Sequence, residues 1–225
     1  MKPRFFAWCV HLFTSLGLVA AAGIAALIVR GGDDAFRGAF GLMLVATVID
    51  AVDGSFARWA RVGKVLPEFD GRRLDDLIDF QTYTSLPLLL MWRAGLAPGE
   101  WLILPLLASA YGFCRKQAKT DDGYFLGFPS YWNIVAFYCY FLGMSPATVI
   151  AIVVVLSILT FVPSRYLYPS QTGTLNRITI ALAIPWTAML IAVCAGYREW
   201  AAPSLYFPAF YLGASAWVTL RHSSI

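Results

Sequence analysis

The chain is 225 residues long, with 59% hydrophobic and only 13% charged residues. Soluble domains of this size carry about a quarter charged residues, so the composition excludes a soluble globular protein and leaves no room for a sizeable aqueous domain. A formal net charge of +4 calls for no nucleic-acid partner and is what basic loops on one side of a membrane produce.

A bilayer span needs about 20 mostly apolar residues, and about eight such helices are predicted in one all-α polytopic domain covering residues 1–225. The first, Phe5–Val29, follows Lys2 and Arg4 and contains Ala20–Ala22, as a signal peptide would. Its length exceeds the roughly 7–15 apolar residues of such a peptide, so a retained span is expected. Gly31–Asp34 turns the chain into the second span, Phe36–Arg61, and Val62–Asp70 connects this to the third, Arg72–Trp92. Pro98 and Gly99 precede the fourth span, Trp101–Gln117, and the polar, Gly-rich stretch Ala118–Ser130 reads as an ordered loop. A short fifth span, Tyr131–Leu142, is followed by Ala147–Tyr166, Leu175–Ala195 and Ser204–Leu220. Pro87, Pro105 and Pro185 fall inside spans, where kinks are expected. Cys9, Cys114, Cys139 and Cys194 are scattered without metal-site spacing and are expected as buried free thiols. With the N-terminus inside, only Arg30, Arg37, Arg93 and Arg198 of the 17 Lys and Arg residues lie outside. That bias puts both termini at the cytoplasmic face.

The acids of the second and third spans are the chemical feature. Asp50 and Asp53 are three residues apart, and Asp75 and Asp79 four apart, so each pair shares one helix side within roughly 5–6 Å. Asp76 is rotated by about 100° from Asp75 and leaves that side. Four facing carboxylates repel one another unless a cation lies between them. An ionised Asp near a span's centre costs about 3 kcal/mol, and Leu42–Ile49 before Asp50 is apolar. A solvated helix end therefore accounts for Glu68, Asp70 and Asp76 but not for Asp50 and Asp53. Gly54, Ser55 and Ala57 clear bulk beside the acids, and Arg58, one turn beyond Gly54, can reach a phosphate oxygen. Carboxylates, a divalent metal and an arginine suit chemistry on a phosphate ester at the cytoplasmic face. A divalent-cation transporter is the competing class, but transporters commonly show internal repeats with acids at the midplane. No repeat is evident, and these acids lie off-centre.

Asp50, Asp53, Gly54, Ala57, Arg58, Gly71, Asp75 and Asp79 match D-x2-D-G-x2-A-R … G-x3-D-x3-D, and here the chain resembles the CDP-alcohol phosphotransferases. Most of that family separate arginine from glycine by eight residues. The longer spacer here, Trp59–Asp70, resembles the variant in bacterial phosphatidylcholine synthases, as do the stretches Val10–Thr14 and Lys119–Asn133.

The resemblance implies a six-helix core within the eight spans. It implies that Asp50, Asp53, Asp75 and Asp79 hold two divalent ions, Mn²⁺ or Mg²⁺, and that Asp79 is the catalytic base. It further implies that Gly54, Ala57, Arg58 and Gly71 line the nucleotide, with His11 and Thr14 of the first span contributing. The substrates implied are CDP-diacylglycerol and choline, and the setting a homodimer among the lipids of the bacterial inner membrane, with its site at the cytoplasmic face. Serine, inositol or glycerol phosphate would be the alternative acceptors. A quaternary ammonium is bound best by aromatic faces, so Tyr131 and Trp132, then Tyr111 and Tyr166, are the expected choline contacts, with Tyr168 among the other aromatics at that mouth. Arg115, Lys116 and Lys119 read as positive-inside residues ahead of a site for a phosphorylated acceptor, and for Asp121 and Asp122 loop solvation and a ligand role are equally open.

Overall fold

The computed structural model describes residues 2–116, 120, 123–167 and 174–222. Gln117, Lys119, Asp121, Asp122 and Tyr168 lie outside them. Helices α1 (Lys2–Arg30) and α2 (Asp33–Trp59) form an antiparallel pair. They are joined through Gly31 and Gly32 at φ 70° and 89°, a backbone region that glycine enters without a Cβ penalty. These two helices and α9 (Thr174–Cys194, numbered in chain order below) are long and apolar enough to cross a membrane.

The segment between the two halves of the acid motif is folded. It contains a short helix, α3 (Val62–Val65), whose Val62 is buried together with Leu66 against Ala7 and Val10 of α1. Burying an aliphatic side chain contributes about 1.5–3 kcal/mol, enough to hold the segment on α1. Arg4 also pairs with Glu68, an exposed contact of small energetic weight.

The third expected span is one helical run in three parts: α4 (Gly71–Asp79), a π-helical stretch (Phe80–Ser85) and α5 (Leu86–Arg93). Pro87 gives the physical reason for the widening. It has no N–H for the carbonyl of Tyr83 four residues back, and its ring crowds that carbonyl. The turn opens into the π form, which shifts the residues after Asp79 relative to a continuous α-helix.

Helices α6 (Gly99–Cys114), α7 (Trp132–Phe141), α8 (Pro146–Phe161), α9 and α10 (Tyr206–His222) complete the bundle. Each of the eight expected segments is therefore helical, and the protein is an all-α membrane protein. Among the helix ends that shift by a few residues, one stands out, and one loop differs from expectation. Helix α8 stops at Phe161 rather than Tyr166, because Pro163 disfavours the helical conformation at Val162. Strands β1 (Tyr124–Leu126) and β2 (Arg165–Leu167) then pair antiparallel, with Phe125 opposite Tyr166. The ribbon is tied to α10, since Arg165 N donates to Thr219 Oγ1 (2.8 Å) and Leu167 N to Ser215 Oγ (3.2 Å).

The main core includes Ile24 and Ile28 of α1, Phe40 of α2, Met91 of α5, Phe137 of α7 and Val149 of α8. The four cysteines are free, and Cys9 and Cys114 are exposed rather than buried.

Candidate active site

The acid motif meets where α2 and α4 both pack on α1. Asp70 caps α4 by accepting the N–H of Arg73 at 3.0 Å, satisfying one of the helix's orphan donors. The helix then presents Asp75 and Asp79 one turn apart on one side. Asp50, Asp75 and Asp79 bring a carboxylate oxygen each within 4.8 Å of one another. Asp53 does not belong to that trio. It is buried, accepts the Thr14 hydroxyl at 2.8 Å and faces Asp75. The four expected ligands are thus three converging groups with Asp53 beside them. Asp76 is exposed, as its rotation on the helix predicts.

An all-oxygen donor set of three close carboxylates suits a hard divalent ion such as Mg²⁺ or Mn²⁺. Without one, three such groups so near one another would repel. The donor chemistry therefore fits the expected metal.

A cleft of about 500 Å³ opens beside the acids. His11 and Thr14 of α1, Gly54 and Ala57 of α2, Phe69 of the folded spacer, and Gly71 of α4 lie on its walls, with Asp53 and Asp75 at its acidic end. A Cβ at Gly54 would meet only the Arg58 guanidinium, at 3.4 Å, so a side chain there would fill the cleft rather than the protein interior. Gly71 is constrained differently. A Cβ there would come within 2.5 Å of His11 Cε1. The His11 ring is backed by Phe69, with centroids 4.4 Å apart, and by Trp8 at 5.9 Å. His11 is 5% exposed, and its Nε2 has no hydrogen-bond partner among the described residues. Arg58 is exposed and donates to Ser55 Oγ at 3.0 Å. Every nucleotide-site residue expected from the sequence therefore lies on the cleft or, for Arg58, beside it.

The expected aromatic contacts separate into two groups. Trp132 is wholly buried, and its indole N–H donates to Ser109 Oγ at 2.8 Å. It packs in the main core. Tyr111 lies on Phe161 at 4.8 Å, on the flank where α6 meets α8. Tyr131 and Tyr166 instead belong to a group of tyrosines that reaches the acids. Its link is Tyr83, whose hydroxyl donates to Asp50 Oδ2 at 2.7 Å. The Tyr83 ring lies 6.1 Å from Tyr131, Tyr131 lies 6.1 Å from Tyr211, and Tyr166 stacks on Tyr211 at 6.5 Å.

Tyr83 was not among the expected site residues. Its signal was present in the chain: it follows Asp75 and Asp79 at successive intervals of four, on the same helix side. Phe69 was also missed, because nothing in its local sequence shows that the spacer folds back onto His11.

No family model matches the chain. Similar curated proteins do exist, and the following carry the name phosphatidylcholine synthase. One from Pseudomonas aeruginosa is 33% identical over 224 residues, covering 93% of this chain and 92% of the relative. One from Borreliella burgdorferi is 33% identical over 88% of this chain and 85% of the relative. One from Legionella bozemanae is 43% identical over 60% of this chain and 65% of the relative's length.

Proposed function

The chain belongs to the phosphatidylcholine synthase family, and from that membership we propose that it transfers the phosphatidyl group of CDP-diacylglycerol to choline, forming phosphatidylcholine and CMP. The observation that carries this reading is the position of Asp75. It lies on the wall of the cleft and also in the carboxylate trio, so a diphosphate seated in the cleft would end at the acids.

Two divalent ions, Mn²⁺ or Mg²⁺, would be held by Asp50, Asp75 and Asp79, with Asp53 alongside. When bound, they neutralise charge on the diphosphate and on the departing CMP. The chain's own groups do the rest. Gly54 and Ala57 let the nucleotide approach the α2 backbone, and Arg58 supplies a guanidinium for a phosphate oxygen. Asp79 takes the proton of the choline hydroxyl. The choline oxygen forms its bond to the phosphorus that carries diacylglycerol as the P–O bond to CMP breaks, and the electron pair leaves with CMP.

The charge bias of the loops supports a site and termini at the cytoplasmic face of a bacterial inner membrane, and a homodimer is the assembly that the motif's resemblance implies. The acceptor is tested by incubating membranes containing the protein with CDP-diacylglycerol and labelled choline, serine, inositol or glycerol phosphate. Incorporation of choline is expected. Incorporation of another acceptor in its place would overturn the choline reading while leaving the phosphatidyl transfer.

Two substitutions test the supports of the acids. Tyr83→Phe removes the hydroxyl that fixes Asp50 and keeps the ring. Loss of such an outer partner typically weakens metal binding by about 10–100-fold, so the metal concentration giving half-maximal activity should rise by that order, with activity recovered at high metal. Thr14→Val removes the hydroxyl that Asp53 accepts and leaves a buried carboxylate one partner short. A metal titration of this variant should shift in the same direction, by roughly tenfold.

A further inference from the structure

Asp53 and Asp75 line the cleft, whereas Asp50, Asp79 and the tyrosines are not among its lining residues. Asp53 and Asp75 close the cleft, and Asp75 joins the trio to Asp50 and Asp79 beyond it. Asp50 is in turn the residue that receives the Tyr83 hydroxyl. Phosphoryl transfer places the attacking and leaving oxygens roughly in line through phosphorus. If CMP departs into the cleft, the acceptor must enter from outside it, and Asp50, Asp79 and the tyrosine group adjoin the acids without lining the cleft.

That side is built in detail. The π-helical stretch follows Asp79 directly and carries Tyr83, which is 8% exposed, with its hydroxyl on Asp50. π-Turns inside helices occur frequently at functional sites. Asn133 Nδ2 donates to Thr47 Oγ1 at 3.3 Å, and Thr47 lies beside the Tyr83 hydroxyl. Tyr131, at the N-cap of α7, is half-buried and lies tilted at 49° to Tyr83. Tyr211 of α10 is held by donating to Leu167 O at 2.9 Å, so the β-ribbon fixes its ring. Three rings thus form a row that starts at Tyr83, beside Asp50 and Asp79, and runs through Tyr131 to Tyr211. A quaternary ammonium has no N–H to donate and is attracted to aromatic faces within about 6 Å of their centroids.

We propose that Tyr83, Tyr131 and Tyr211 form the acceptor subsite, receiving the trimethylammonium of choline while its hydroxyl lies at Asp79. This rests on the choline-transferase reading above and adds the residues that set its acceptor specificity. Tyr166, stacked behind Tyr211, is a positioning residue for that ring.

The test compares choline with 3,3-dimethylbutan-1-ol, which has the same shape but a carbon in place of the charged nitrogen. The purified full-length protein is reconstituted with CDP-diacylglycerol and metal. The wild type should prefer choline. Tyr131→Leu should reduce that preference by roughly tenfold through a higher KM for choline, with the KM for CDP-diacylglycerol unchanged. Tyr131→Phe, which keeps the ring, should retain the preference. Tyr211→Leu should act like Tyr131→Leu, and inhibition by tetramethylammonium should weaken in both Leu variants. The unchanged donor KM reports an intact fold. An undiminished preference in both Leu variants would overturn the subsite alone, as would a loss in Tyr131→Phe as large as in Tyr131→Leu. Failure of the wild type to use choline would overturn the underlying reading and the subsite with it.

Discussion

Asp79→Asn is expected to abolish turnover while leaving CDP-diacylglycerol binding largely intact. The side chain keeps its size and one carbonyl oxygen, so the packing around α4 is little disturbed. It loses the negative charge that the trio contributes to a cation and the basic oxygen that would take the choline proton. A positioned general base alone accounts for about 10²–10⁴-fold in rate, and weakened metal binding adds to that loss. Asp79 also stands in the fields of Asp50, Asp75, Asp53 and Asp76, so its charge adds to that with which the acid cluster would hold a cation. Initial rates with saturating choline and CDP-diacylglycerol, beside a direct measurement of donor binding, test this. Activity near the wild-type level would remove Asp79 from the mechanism.

Gly71→Ala is expected to damage donor binding out of proportion to one added methyl. The new Cβ would lie 2.5 Å from His11 Cε1 and 3.1 Å from Nδ1, distances at which one partner must move. The imidazole is backed by Phe69 and flanked by Trp8, so relief requires either a shift of the ring toward the cleft or a retreat of α4. Overpacking of this kind costs about 1–3 kcal/mol. The KM for CDP-diacylglycerol should rise by roughly tenfold or more, since either movement displaces a cleft wall. Paired with His11→Ala, which removes the obstructing ring, Gly71→Ala should cost far less than in the wild-type background. Such a coupling is the mark of two residues in direct contact. Additive effects of the two substitutions would show that the contact between Gly71 and His11 is not what the glycine is for.

Much of this site is written in helical periodicity. Intervals of three and four residues placed Asp50 with Asp53 and Asp75 with Asp79, and the structure brings three of them together with the fourth adjoining. Charge placement and apolar runs likewise anticipated the eight helical segments. What escaped depends on contacts between distant residues. The Trp59–Asp70 spacer could be recognised as unusually long, but not that Val62 and Leu66 would bury against Ala7 and Val10, carrying Phe69 onto His11. Pro87 suggested a kink, whereas the observed response is a π-turn that sets the register of Tyr83. Trp132 shows the limit of reading aromatics by neighbourhood. It adjoins Tyr131 in sequence, yet one side chain is half-buried near the acids and the other is sealed against Ser109. The β-ribbon has only three residues in each strand, too short for an alternating pattern to stand out, and its role emerges only where Leu167 holds Tyr211.

The central claim is that acids shared between a donor cleft and an acceptor site hold metal for phosphatidyl transfer. Its most direct test is to reconstitute the purified protein with CDP-diacylglycerol and labelled choline and to titrate Mn²⁺ against a chelator, following both products. Phosphatidylcholine and CMP should appear in equal amounts and both should vanish when the metal is removed. Phosphatidylcholine formation that persists in excess chelator, or metal uptake into sealed vesicles lacking CDP-diacylglycerol, would contradict it.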